Sequence, residues 1–514
     1  MAAVSHRAFA GSVSETRHSG RLAGVSLDSL HAMNVLIISY FNSWVTHFGT
    51  ELELAERHLA AGDRVEVFGC DRSLTCCEAN PSGRISKCDR CRLRRTGGLR
   101  LLSAPIKEHS LGDYLPDDLK AAEAALEKGI VDAKSAELYE YNGHDFGSGA
   151  LSSVIWNSRD PFCEKQGSHQ VVLNFAKVAL RSYLGVRSFL KAHPDIQRVY
   201  IFNGRFASTR GALRACQEAT GVEVFTHERG PNIGSFSLFE NAMPHDRALW
   251  VKQTLAAWNS ASDREQAVSV GSSFFVARKH GTNQDWTSFT EKQQVGKLPT
   301  GWDPQRRNVV IFNSSEDEFV GLGEEWLNPI YAGQAEGVQK IVQDAMERYP
   351  NVMFYLRMHP NLVGVNNRDT RLTQELGAGG QPNLVVVAPD SDISTYSLLD
   401  AADLIITFGS TVGVEATYWG KPSILAGHAM YEDLDSVYVA ESHEHLMELI
   451  ETAIIAKRKI NAIIYGYYAK TFGEPFQYWV AEDFSHGKFR GKSVKCEPKS
   501  WLVRRLLMGF KDLF

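Results

Sequence analysis

The sequence predicts an α/β protein made of two parallel-sheet domains, and three observations lead there. Between residues 352 and 425, short apolar or β-branched runs (Val352 to Leu356, Leu384 to Val387, Leu404 to Thr407, Ser423 to Leu425) each end in a Gly, Pro, Asp or Ser cluster. That is the rhythm of buried strands feeding turns and helices. A second strand, helix, strand opening begins at Met33. With 514 residues, 44% hydrophobic and 10% aromatic, the chain can bury two cores. A net charge of −5 and a pI near 6.4 exclude a general nucleic-acid binder, whose footprint would be basic. No run of eighteen apolar residues is present, so nothing in the sequence reads as a membrane span.

In chain order, residues 1–32 are rich in Ser, Ala, Gly, Arg and His without periodicity, and lack the apolar core of a secretory signal. They read as a disordered extension; an upstream extension before Met33 or a weak targeting tail fits the same composition. From Met33, MNVLIISYF reads as a strand, residues 42–47 as a loop, Thr50 to Ala61 as an amphipathic helix and Arg64 to Phe68 as the next strand.

Five of eight cysteines then crowd into Cys70, Cys76, Cys77, Cys88 and Cys91. The pair Cys88-Asp-Arg-Cys91, with Cys70 and Cys76 or Cys77, offers four thiolates for a structural zinc. A reduced thiol cluster or a disulfide fits the residues too, and the basic run Lys87 to Arg95 reads as a zinc knuckle or as a solvated face. Residues 99–192 read as a helical insertion, with helices over Leu119 to Ile130 and Gln170 to Lys191. The strand Arg198 to Phe202, a helix from Ser208 to Thr220 and the strand from Val222 follow. Residues 282–307, with Gly296, Pro299, Gly301 and Pro304, read as a linker before the strand Asn308 to Phe312. A Tyr- and Trp-rich helical crossover is predicted over 460–498, and 499–514 forms a short basic amphipathic helix.

In an open parallel sheet, ligands bind beyond the carboxyl ends of the strands, which singles out the residues just after each run. These are Ser314 and Ser315, then Arg357 and His359, then Asp390 to Asp392, and finally Gly409, Ser410 and Thr411. Gly409-Ser410-Thr411 leaves a strand and enters a helix whose first amides lack partners, an end that attracts phosphate. Glu415, one turn further, can take both hydroxyls of a ribose, while Arg357 and His359 place two cationic donors at a strand tip. The structural alternative makes Ser410 a helix cap and Glu415 a solvated helix residue. In the first domain the same rule picks His47 and Glu51 after the first strand, and Asn203, Arg205, His227 and Glu228 along one strand-end edge. Glu228 can serve as a general base, or pair with Arg229 or Arg205 as a structural ion pair.

Arg357-Met-His359-Pro360, Phe408-Gly-Ser410-Thr411-Val-Gly-Val-Glu415-Ala, Gly420-Lys-Pro422 and, more loosely, Phe312-Asn-Ser314-Ser315-Glu316-Asp-Glu318 resemble the GT-B glycosyltransferases of bacterial capsule and surface polysaccharide synthesis. The related Kdo-, sialic-acid- and glycerophosphate-transferring enzymes are similar in the same places. The resemblance covers the last two-fifths of the chain well. It implies two Rossmann-like domains facing a cleft: an acceptor domain over 33–281 and a nucleotide-donor domain over 308–459. It implies that His359, Ser410 and Thr411 hold the donor phosphate; Arg357, Asp392, Glu415, Ser314 and Ser315 join them as donor-side candidates by position, and Glu228 before Gly230 is similar to the acidic-Gly base motif of the related sialic-acid transferases. His47, Glu51, Asn203 and Arg205 fall on the acceptor side.

No Asp-X-Asp pair stands out at the strand end beside Ser314 and Ser315, so a metal-independent, inverting transfer of a sugar to a surface glycan is expected. The expected setting is the cytoplasmic face of the membrane, with the basic tail as the contact. A cytidine-diphosphate-glycerol type transferase, a nucleotide-sugar epimerase and a zinc-knuckle scaffold are the alternatives.

Overall fold

Apolar runs bounded by turn residues close into two sheets with one winding order. The computed structural model describes residues 32–281, 293–483 and 485–494. The first sheet holds β1 (Asn34–Ser39), β2 (Arg64–Gly69), β3 (Lys107–Ser110), β4 (Arg198–Phe202), β5 (Glu223–Arg229) and β6 (Ser235–Glu240). Its order is β3-β2-β1-β4-β5-β6, parallel through β5 with β6 antiparallel. The second holds β7 (Arg307–Phe312), β8 (Val352–Arg357), β9 (Leu384–Val387), β10 (Leu404–Thr407), β11 (Ser423–Leu425) and β12 (Tyr438–Val439), all parallel, in the order β9-β8-β7-β10-β11-β12.

Both sheets therefore wind outward from their first strand, the Rossmann order. The winding reverses between β1 and β4 in one sheet and between β7 and β10 in the other, where a ligand crevice opens. Two Rossmann-like domains meeting at their strand ends make a GT-B fold.

Helices α1 (Val45–Ala61), α2 (Ile85–Leu99), α3 (Leu119–Gly129), α4 (Ala133–Glu137), α5 (Phe146–Ser158), α6 (Ser168–Ala192) and α7 (Ala207–Glu218) accompany the first sheet. They are followed by α8 (Arg247–Ser260), α9 (Arg264–Lys279), α10 (Gln334–Arg348), α11 (Arg368–Ala378), α12 (Thr395–Ala401), α13 (Val412–Tyr418), α14 (His443–Thr452) and α15 (Lys459–Thr471). The second sheet is apolar on both faces. Val309, Ile311, Phe354, Leu356 and Ile406 bury one face, and Val310, Phe312, Met353, Tyr355 and Ile405 the other. At roughly 1.5–3 kcal/mol per buried side chain, this face pairing holds the strand ends in register.

Several elements differ from the sequence reading. Helix α1 begins at Val45, inside the expected loop, because Val45, Phe48, Leu52 and Ala55 are all buried at helical spacing. The supposed all-helical stretch contains β3, a polar edge strand whose Glu108 and His109 bond to Arg95 and Glu66 and so carry no apolar signal. The β5–β6 hairpin was also unsigned.

Helices α8 and α9, placed by sequence within a first domain ending at 281, pack instead on the second. Trp258, Phe274 and Phe275 share a core with Tyr418, Tyr431 and Tyr465. There α9 crosses α15 at facing glycines: a Cβ on Gly466 would stand 2.4 Å from the Gly271 carbonyl oxygen. The crossover is helical only to Thr471. Gly473, at φ +84°, and Pro475 end it, and β13 (Glu474–Pro475) joins the first sheet beside β6.

The hairpins β14 (Trp479–Ala481), β15 (Gly487–Phe489) and β16 (Lys492–Ser493) then lie on α1. The buried Glu53 carboxylate accepts the backbone N–H groups of Gln477, Tyr478 and Trp479 at 2.8, 2.8 and 2.9 Å. The N-terminal extension, the first part of the linker (282–292) and the basic tail lie outside the described residues. Among those described, no helix is long and apolar enough to cross a membrane.

Candidate functional site

The strand ends of both domains border a cleft of about 750 Å³, lined among others by Arg205, His245, Ser314, Ser315, His359, Ser410 and Thr411. On the second domain, the end of β7 turns through Asn313, whose side-chain oxygen accepts the His359 N–H at 2.8 Å and ties two neighbouring strand ends together. Ser314 donates its backbone N–H to Gln334, and its buried hydroxyl has no hydrogen-bond partner. Ser315 donates to Asp317 at 2.6 Å and accepts from Arg159 at 2.8 Å.

His359 caps the short 3-10 turn of Pro360–Leu362, and its Nδ1 accepts the Asn361 N–H at 3.1 Å. Burial above all, then the charges of Arg357 and Arg159, holds its pKa down to about 4. The ring is therefore neutral at pH 7, with its proton on Nε2. It offers a neutral donor, where the sequence reading expected a cation. Beyond β10, Gly409 stands at φ +131°, and a Cβ there would meet the His428 carbonyl oxygen at 2.9 Å. Only glycine lets the chain turn so closely. Ser410 accepts the Val412 N–H at 3.3 Å, and the Tyr431 hydroxyl donates to the Ser410 carbonyl.

The first domain supplies the opposite wall. Asn203 and Gly204, at φ +57° and +79°, turn the chain sharply after β4 and direct Arg205 into the cleft. Its Nε donates to Ser152 at 2.8 Å, Nη1 reaches the Glu318 carbonyl at 3.4 Å, and the buried Nη2 has no hydrogen-bond partner. Burial, then Arg210, lowers its pKa to about 10, so it stays charged at pH 7. An unpartnered, buried guanidinium N–H is costly unless something accepts from it. His245 lines the same wall, with Nδ1 buried and unpartnered and its pKa pushed down by burial to about 3.

Other predicted residues are used differently. Arg357 turns away from the cleft, donating to the Ala388 carbonyl and, at 3.3 Å, to that of Ser391, so it shapes the loop after β9. His359 lies past the end of β8, so the two do not act together as a pair of donors at one strand tip. Asp392 is an exposed partner of Lys297 at 2.6 Å. Glu415, fully buried, receives Arg278 at 2.9 Å, Thr411 at 3.2 Å and the Tyr396 hydroxyl; its carboxylate is committed inside the protein and does not face the cleft.

Glu51 is core. Ser39 donates to one of its oxygens, and the other lies 4.0 Å from His227 Nε2. Burial raises Glu51 to about 8 and lowers His227 to about 3, so both are neutral at pH 7. Asn203 and Glu228 bond directly at 2.6 Å, with His47 Nδ1 3.9 Å from the carboxylate and the His47 ring packed at a tilt against Phe202. Burial raises the Glu228 pKa, but His47, Arg229 and hydrogen bonds outweigh it and hold it at about 2. His47, itself lowered to about 4 by burial, is uncharged at neutral pH, where Arg229 and Asn203 carry that stabilisation. Of the cysteines, Cys70, Cys77, Cys88 and Cys91 line a separate cavity, and Cys76, chosen from the sequence, does not.

Arg159, His245 and Asn361 were missed. Arg159 follows α5 in the left-handed region, at φ +54°, and pairs with Asp317 at 2.9 Å. The helical insertion thus reaches the second domain instead of walling the acceptor side alone. The break Ser158-Arg-Asp-Pro161 after an apolar helix was the available signal.

Residues 311–434 match the family described as capsule polysaccharide biosynthesis protein, which bears out the resemblance over that stretch. No curated protein matches the chain. Among solved structures, a Thermosulfurimonas dismutans KpsC β-Kdo 2,7 transferase is similar at 14% identity and a TM-score of 0.36, over 64% of this chain and 89% of that one. Its β-Kdo 2,4 counterpart is similar at 15% and 0.34, over 53% and 80%. An S. aureus MnaA–UDP co-structure is similar at 10% and 0.28, over 86% and 93%. Likenesses at these values carry no argument about substrate.

Proposed function

We propose that this chain is a glycosyltransferase of surface-polysaccharide assembly, moving a sugar from a nucleotide-activated donor to a growing glycan or glycolipid. The observation that supports it best is the cleft itself. Ser314, Ser315, Ser410, Thr411 and the neutral His359 line one side, and Arg205 and His245 the other.

In this reading the donor phosphates lie between them. As the anomeric C–O bond breaks, its electron pair leaves with the phosphate, and Arg205, His359 and the hydroxyls stabilise the growing charge without a metal. The acceptor oxygen attacks the opposite face of the anomeric carbon and its proton passes to Glu228, giving inversion. With its low proton affinity, Glu228 takes that proton late, once the new C–O bond has acidified the hydroxyl. Arg357, Asp392 and Glu415 drop out of direct donor contact: Arg357 holds the loop after β9, Asp392 pairs with Lys297, and Glu415 anchors Thr411.

The test is a calorimetric screen of cytidine, uridine and guanosine nucleotides, followed by product mass analysis with the donor whose nucleotide binds. A new glycan mass with release of the nucleotide supports the reading. A changed sugar without an acceptor makes the protein an epimerase, transfer of glycerol phosphate makes it a glycerophosphotransferase, and no nucleotide binding at all removes the enzyme reading.

We further propose that the basic amphipathic segment 499–514 holds the enzyme peripherally at the inner face of the cytoplasmic membrane. Deleting 500–514 should then abolish sedimentation with anionic liposomes, and unchanged sedimentation removes that anchor.

A further inference from the structure

Four cysteines that the cleft does not use face one cavity of about 280 Å³ in the first domain. Cys70 directly follows β2, Cys77 sits in the next loop, and Cys88 and Cys91 lie one turn apart on α2. All four are free thiols. The Cys77 sulfur has those of Cys70, Cys91 and Cys88 as electrostatic neighbours. We propose that Cys70, Cys77, Cys88 and Cys91 hold an iron–sulfur cluster.

The spacing favours a cluster over a single ion. Any two thiolates on one zinc, each at ~2.3 Å, stand at most ~4.6 Å apart. Among the described residues, the only three or more potential ligands within 4.8 Å of one another are Glu66, His109 and His193, so no three of these sulfurs are that close. The sulfurs surround a space instead of converging on a point, and thiolates of that number are what a polynuclear iron–sulfur core takes.

The surroundings suit an anionic cluster. Backbone N–H of Arg72 donates to Cys70 Sγ at 3.3 Å and Nδ2 of Asn80 to Cys88 Sγ at 3.2 Å, donors of the kind that tune such centres. Arg72, Lys87, Arg90, Arg92 and Arg94 line the cavity and supply positive charge. The loop is set without help from the cluster: Cys77 and Asn80 pair through their backbones, and the Asn80 side chain bonds both backbone groups of Arg84.

Arg94 reaches the Asn42 and Ser43 carbonyls at 3.3 and 3.1 Å, and Tyr40, Ser43 and Trp44 line the same cavity. A cluster here would brace the segment leading into α1, which carries His47. Each thiol gives up its proton on ligation, and iron and sulfide come from outside the chain.

The test begins with the full chain, purified anaerobically and then reconstituted with ferrous iron and sulfide. Iron and acid-labile sulfide in comparable amounts, with a visible charge-transfer absorption, are expected. Cys77→Ser should lose at least tenfold of that content while Cys76→Ser keeps it, each checked by circular dichroism. Zinc without sulfide, no bound metal, or equal loss in a folded Cys76→Ser chain would overturn the proposal. If Cys77→Ser does not fold, the iron and sulfide content of the unmodified chain still decides it.

Discussion

Replacing Arg205 by Met removes a buried charge that the fold uses only in part, because two of its three nitrogens bond to Ser152 and the Glu318 carbonyl, Nη2 has no partner, and the side chain lines the cleft. A hydrogen bond from a charged donor to a ligand contributes roughly 1.5–3 kcal/mol net. Losing it should weaken nucleotide affinity by about 10- to 150-fold. The stability change should be small, since burying a partly satisfied guanidinium is itself unfavourable and Met fills similar volume. The informative control is Arg357→Met. That guanidinium is also buried and its Nε likewise has no partner, but Nη1 and Nη2 bond loop carbonyls and the side chain does not line the cleft. It should destabilise the protein by about 1–3 kcal/mol through the unsatisfied carbonyls and affect nucleotide binding less than Arg205→Met does. Calorimetric titration with the tightest nucleotide, paired with denaturant melts, measures both. A folded Arg205→Met protein that binds within twofold of the parent would refute the assignment of Arg205 to the ligand.

Three further outcomes are expected. His359→Ala should lower kcat about a hundredfold or more with the fold intact, and because the ring stays neutral down to about pH 4, the parent's rate should show no His359 limb between pH 5 and 8; unchanged turnover removes the residue from the site. Glu415→Gln should destabilise by about 1–3 kcal/mol, discounted because Arg278 is partly exposed, and the shift of the denaturant midpoint reads it; a pure loss of nucleotide affinity would return Glu415 to ribose binding. Glu51, raised from 4.5 to about 8, holds its proton longer folded than unfolded, so it costs the fold stability as pH rises from about 4.5 to 8. Glu51→Gln should flatten that decline in melting temperature between pH 5 and 8, and an unchanged slope would mean that Glu51 is ionised in the fold.

Local pattern alone located the strands Leu384–Val387, Leu404–Thr407 and Ser423–Leu425 to the residue, since a fully buried strand needs an unbroken apolar run and its end needs a turn former. For the same reason Ser314, Ser315, His359, Ser410 and Thr411 were legible: they follow strands of a parallel sheet, and that position faces the crevice whatever packs elsewhere. Partners were not legible. Glu415 meets Arg278 from a helix 137 residues away, and Ser315 meets Arg159 from 156 residues away, because α9 and α5 dock there. Arg357 and Arg205 read alike as strand-end arginines, yet one bonds the carbonyls of the loop after β9 and the other lines the cleft. Cys77 rather than Cys76 faces the shared cavity because the turn between β2 and α2 rotates one of two adjacent side chains inward. Sequence by itself determined where the buried apolar strands run and which residues lie at their tips, because those follow from periodicity within a few residues, whereas polar edge strands such as β3 left no such mark. Only the tertiary structure decided which polar groups are satisfied and which are left for a ligand, because that depends on segments that meet across the whole chain.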